Sequence, residues 1–129
     1  MLESTTRAAI WQRACGAGPA APRAGDTALM ALLTFHGLVM NAGVLYAIDC
    51  LSPHELDAAR QGYRYFGFAN VAGVIGAGQA AKAQGLDADL LADTLEDAYA
   101  AIIADEVVMQ AFEAHYARQP ADYAPVVPG

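Results

Sequence analysis

Ser52-Pro53-His54-Glu55-Leu56-Asp57-Ala58-Ala59-Arg60-Gln61-Gly62-Tyr63-Arg64-Tyr65 reads as a helix whose start is encoded in its first four residues. The Ser52 hydroxyl is placed to accept from the Glu55 amide, and the Glu55 carboxylate to reach back to the Ser52 amide. Pro53 falls at the first helical position, where its missing N–H leaves no bond unmade. Leu56, Ala59, Tyr63 and Phe66 recur at three- and four-residue steps and give an apolar face, while Arg60 and Arg64, four apart, share another.

Working outward, the same spacing extends in both directions. A helix is expected over residues 4–15, with Ala8, Trp11, Ala14 and Cys15 inward and Arg7 and Arg13 outward. Residues 16–25 hold two prolines and three glycines and form an internal loop. Asp26 is expected to cap the next helix, which carries Leu29, Leu32, Leu33, His36, Val39 and Met40 and stops at Asn41-Ala42-Gly43. Val44 to Leu51 is short and apolar and reads as a helical turn, because nothing near it would pair with a strand. Beyond Tyr65, residues 67–84 form a helix rich in small side chains that ends at Gly85. From Asp87 to about Ala104, Leu91, Leu95, Ala98 and Ile102 make one stripe, and Asp89, Asp93, Glu96 and Asp97 lie opposite. A last helix, Glu106 to Arg118, buries Val108, Phe112 and His115 or Tyr116, and prolines mark residues 119–129 as an irregular tail. Thirty alanines favour helix, and Val, Ile and Thr are too scattered for a sheet. The expectation is one all-α domain over residues 1–129, a single compact bundle of five to six helices, long enough for a core without disulfides or metal.

Charge is distributed unevenly. Of fourteen carboxylates, nine lie in residues 86–129, where Arg118 is the single base, whereas residues 1–85 set five acids against six bases. A localised negative field repels nucleic acid and attracts basic surfaces, so the chain excludes direct nucleic-acid binding and suggests a basic protein partner.

Several motifs suggest chemistry that their context does not sustain. Val71-Ala-Gly-Val-Ile-Gly76-Ala-Gly78 copies the glycine fingerprint of dinucleotide folds, but no strand precedes it and amphipathic helix follows, so the glycines read as close-packing sites and no cofactor is expected. His36, His54 and His115 lie in three separate segments, with no ligand spacing for a metal. Ser4 and Ser52 are the only serines, Ser52 is already a cap, and acids on one exposed face keep ordinary acidity, so no catalytic residue is assigned. Cys15 and Cys50 read as buried, reduced thiols, which fits a cytoplasmic protein. Met1-Leu-Glu-Ser carries no signal pattern, and the weakly charged stretch Thr27–Ala47 reads as buried helix rather than a membrane span.

Residues 26–85, taken as a unit, combine the Leu29/Leu32/Leu33 helix, the Asn41-Ala42-Gly43-Val44-Leu45-Tyr46 turn, the capped helix to Tyr65-Phe66-Gly67 and the small-residue helix at Gly76-Ala77-Gly78. This order resembles the DNA-mimic-protein-like family of small acidic bacterial helical proteins. The family's turn is Asn-Gly-Gly before an aromatic; Asn41 and Gly43 match it, and Ala42 and Val44 depart from it. The resemblance implies an all-α fold, often dimeric, with Asn41, Gly43 and Tyr46 structural. For one studied type of member it implies a negative surface that occupies a repressor's DNA-binding site. Asp89, Asp93, Glu96 and Asp97 match no motif of the family, so their role rests on charge alone.

Two functions follow as expectations. The first is a non-enzymatic acidic protein that binds a basic partner, such as a DNA-binding regulator, through Asp89, Asp93, Glu96 and Asp97. The alternative is a small-molecule-binding or enzymatic domain with a pocket lined by His36, Tyr46, Tyr63 and Tyr65. A homodimer through the glycines at 73, 76 and 78 is a further expectation.

Overall fold

The capping box at Ser52 forms as read: the Glu55 amide donates to Ser52 Oγ at 3.1 Å and the Ser52 amide to Glu55 Oε1 at 3.0 Å. The Ser52 amide, and then its side chain, bond to the Glu55 carboxylate and lower its pKa from the ordinary value. In the computed structural model, which describes residues 2–85, 88–102 and 105–126, this helix is the fourth of seven. They are α1 (Leu2–Ala14), α2 (Ala24–Ala42), α3 (Val44–Cys50), α4 (Pro53–Tyr65), α5 (Ala69–Ala83), α6 (Ala88–Ile102) and α7 (Asp105–Arg118), followed by a 3-10 turn at Pro120–Asp122. Among the described residues there is no strand.

Among the described residues the count is therefore seven rather than five to six, and Gly43 is the reason. Its φ of 102° is left-handed backbone that a side chain would strain. Its amide donates to Val39 O, closing α2, and its carbonyl accepts from the Ala47 amide, opening α3. One residue thus ends one helix and begins the next, and the expected turn becomes a complete helix at a sharp corner.

α2 and α4 lie at the centre. They approach closely because Gly62 has no side chain: a Cβ there would sit 2.5 Å from Ala28 O. α4 folds back onto α5 through the turn at Phe66-Gly67, and α3 and α6 pack on α5. The principal core gathers Phe35, Val44, Tyr63, Val71, Ile75 and Tyr99, and a second cluster joins Ile10, Ala14, Leu29, Phe112 and Tyr123. Burying such side chains contributes about 1.5–3 kcal/mol each, enough to set each helix's orientation.

Several positions differ from expectation. α2 begins three residues earlier than read, with Arg23 as its N-cap, and Asp26 sits at the third helical position and accepts from the Arg23 amide at 3.0 Å. Arg13 turns inward, while Ala8 is exposed and Ile10 takes the buried place on α1. Both cysteines are free and exposed rather than buried. Cys15 falls just beyond the end of α1, and α3 buries Val44, Ala47 and Ile48, which leaves Cys50 outside. Met40 is 61% exposed, because Val39 takes the inward direction at the end of α2.

Candidate functional site

The acids of α6 do not act as a set. Asp93 and Asp97, one turn apart, are exposed, and neither forms an ion pair among the described residues. Glu96 is half-buried and faces the α2–α3 corner, where its carboxylate accepts the Val44 amide. That amide is unpaired by the helix itself, so Glu96 serves as a cap supplied from a neighbouring helix. A Cβ on Gly43 would meet the same carboxylate, so the glycine also makes room for this bond. The side chain of Asp89 lies outside the described residues.

The four residues of the alternative pocket separate into three places. His36 and Tyr63 are buried and meet through Tyr99: His36 Nδ1 lies 2.7 Å from the Tyr99 hydroxyl, and the Tyr63 and Tyr99 hydroxyls are 2.5 Å apart. Burial, with Tyr99 beside it, pushes the Tyr63 phenol well above its ordinary value of 10.0, so it stays protonated. Tyr46 is 41% exposed on the outer face of α3, and a hydrogen bond to Cys50 raises its pKa. Tyr65 lies at the other end of α4, where its hydroxyl donates to Asp122 Oδ2.

Tyr65 belongs to a polar cluster that fastens residues 120–126 to the bundle. At its centre Asp26, 1% exposed, accepts from Arg13 at 2.9 Å, from the Arg23 amide, and from the Ala124 amide at 2.6 Å. Arg13 also donates to Ala124 O at 2.7 Å and Arg23 to Ala121 O at 3.0 Å. The ring of Tyr123 covers Gly25, where a Cβ would sit 2.7 Å from it, and its hydroxyl lies 2.9 Å from His115 Nδ1. Burial raises the pKa of Tyr65 and of Tyr123 above 10.0, with Asp122 adding to both. Burial lowers that of His115, and Asp122 opposes the shift from 3.8 Å. Within the stretch 119–129, expected to be an irregular tail, Tyr123 and Ala124 are both buried, and residues 127–129 lie outside the described residues.

No protein-family model, curated protein or solved structure matches this chain. Among the described residues no group of three or more His, Cys, Asp or Glu is placed to hold a metal ion, and no helix is long and apolar enough to cross a membrane. The glycine fingerprint lies inside the unbroken helix α5, so it presents no strand-to-helix turn to a pyrophosphate. Gly78 instead packs beneath Ile48 and Leu95.

Sequence reasoning missed Asp26 as a buried hub, Tyr99 as the link between His36 and Tyr63, and Tyr123 as a strap. Tyr99 carried a usable signal, since it stands four residues after Leu95 on the apolar stripe of α6. Asp26 carried none, because its partners Arg13 and Ala124 are remote in sequence.

Proposed function

We propose that this protein is a non-enzymatic binding module that captures a basic partner protein through the exposed carboxylates of α6, with a DNA-binding regulator as the partner class. The observation that supports this reading most is the placement of Asp93 and Asp97, both exposed, in a stretch whose one base is Arg118. Asp26 pairs with Arg13, Asp49 with Lys82 and Glu113 with Arg7, whereas among the described residues Asp93 and Asp97, like Asp57 and Glu106, form no ion pair. The two stand about 6 Å apart along the helix axis, on a helix whose inner face is held by Leu95 and Tyr99. A rigid helix presents such carboxylates with little ordering cost on binding. Lys and Arg side chains that donate to phosphate oxygens donate to carboxylate oxygens by the same charge-assisted bonds.

In this reading the protein acts in the cytoplasm, and self-association would extend the acidic surface. Glu96 contributes by fixing α3 to α6 rather than by touching the partner. The alternative pocket receives no support from a shared cavity, since His36 and Tyr63 are committed to Tyr99 and the other two residues lie elsewhere.

A pull-down from native lysate at low and high salt, with wild type beside the double variant Asp93→Asn/Asp97→Asn, tests the proposal. The expected result is a basic protein retained by the wild type at low salt and released at high salt, and absent from the variant. Identical profiles for both proteins would overturn the reading.

A further inference from the structure

Two of the three buried side-chain polar atoms that lack a hydrogen-bond partner among the described residues, Gln79 Oε1 and Arg60 Nε, lie along one seam between α4 and α5. The guanidinium of Arg60 rests against Gly76, 3.4 Å from where a Cβ would be, and Gln79 follows Gly76 by one turn on the same face. A buried acceptor left without a donor is costly, so such an atom offers a bonding position to a ligand group.

Beside Gln79 the seam opens into a cavity of about 350 Å³, lined by Ile48, Leu51, Pro53, Leu56, Gln79 and Lys82. Its floor is aliphatic and comes from α3 and α4. Its mouth carries the chain's single lysine, with Lys82 Nζ 2.5 Å from Asp49 Oδ1, and both of these side chains are more than half exposed. An exposed ion pair holds little net stability, so it opens readily to other charges. The volume suits a small ligand, and the arrangement of apolar floor and few polar groups is that of ligand sites in general.

We propose that this cavity binds a small apolar α-amino acid. Its side chain would fill the floor formed by Ile48, Leu51 and Leu56, and its carboxylate would meet Lys82. Its ammonium group would donate to Asp49 and to Gln79 Oε1, which turns toward the cavity by rotation about its soft terminal torsion. A zwitterion matches the paired charges at the mouth, and its N–H groups supply the donor that Gln79 lacks. This site shares no residue with the acidic surface of α6 and does not depend on the reading given above.

The test is a titration of the full chain with L-leucine and L-phenylalanine, followed by amide NMR shifts. Isovalerate and isoamylamine, each carrying one charged group, serve as comparison probes. The expected result is saturation in the millimolar range or below by an amino acid, with shifts centred on Leu51, Leu56, Gln79 and Lys82. Each one-headed probe should bind at least about tenfold more weakly, since loss of a charged hydrogen bond exceeds 1.4 kcal/mol. Gln79→Leu should weaken amino-acid binding about tenfold or more while leaving the urea midpoint unchanged or higher, because it removes the unpaired carbonyl. No saturation by either amino acid would overturn the proposal and leave the seam to a bridging water. Equal binding by isovalerate, or unchanged binding by the Gln79→Leu protein, would overturn the assignment of the head group.

Discussion

Asp26 and the pair Asp93/Asp97 are the same side chain in opposite circumstances. Asp26 is 1% exposed and accepts from a guanidinium and two backbone amides, whereas Asp93 and Asp97 are exposed and form no ion pair among the described residues. A carboxylate removed from water must be compensated inside the protein, and one left in water keeps its full capacity for an external partner. The cluster around Asp26 therefore belongs to the fold, and the outer face of α6 is available for recognition. This division leads to four expected outcomes within the protein itself.

The largest effect is expected at Asp26. Asp26→Ala takes the carboxylate from Arg13 and the acceptor from the Arg23 and Ala124 amides and loosens residues 120–126, at a cost of about 3 kcal/mol, read as a lower urea midpoint. A change below about 0.5 kcal/mol would remove the distinction between the two regions, because surface substitutions reach that level. Next is Tyr99→Phe, which deletes the hydroxyl shared by His36 and Tyr63. It should cost about 2 kcal/mol, read as a lower urea midpoint, and an unchanged midpoint would remove the Tyr99 hydroxyl from the bonds that fasten α6.

A smaller effect depends on pH. Burial lowers the His115 pKa from 6.5, so between the folded and unfolded values the unfolded chain binds more protons. The stability that this histidine contributes is complete above 6.5 and is lost as pH falls through the folded value. Urea midpoints measured downward from pH 7 should decline below 6.5 and decline less for His115→Asn. Equal slopes would remove His115 from the strap. The smallest effect is expected for Asp93→Asn/Asp97→Asn, whose stability should stay within about 0.5 kcal/mol of wild type.

Local signals explain how much of this was legible in the sequence. The all-α class, the cap at Ser52, the stop at Gly43 and the inward positions Leu56, Ala59, Tyr63, Val108 and Phe112 all follow from spacings of a few residues. Contacts between distant segments leave no such trace. Glu96 reads as one more acid on a polar face until α3 brings the Val44 amide to it, and Asp26 reads as a cap until Arg13 and Ala124 close around it. Cys15 and Cys50 were misplaced because hydrophobic neighbours in sequence do not settle which face of a short helix, or which end, is covered.

The most direct test of the account is the affinity of the captured partner measured against ionic strength, for wild type and for Asp93→Asn/Asp97→Asn, with urea midpoints recorded in parallel. The account predicts wild-type binding that weakens steeply with salt, a loss of about tenfold or more in the variant at low salt, and matching midpoints. Equal affinity and equal salt dependence in the two proteins would contradict it and return these carboxylates to the role of solvated surface charge.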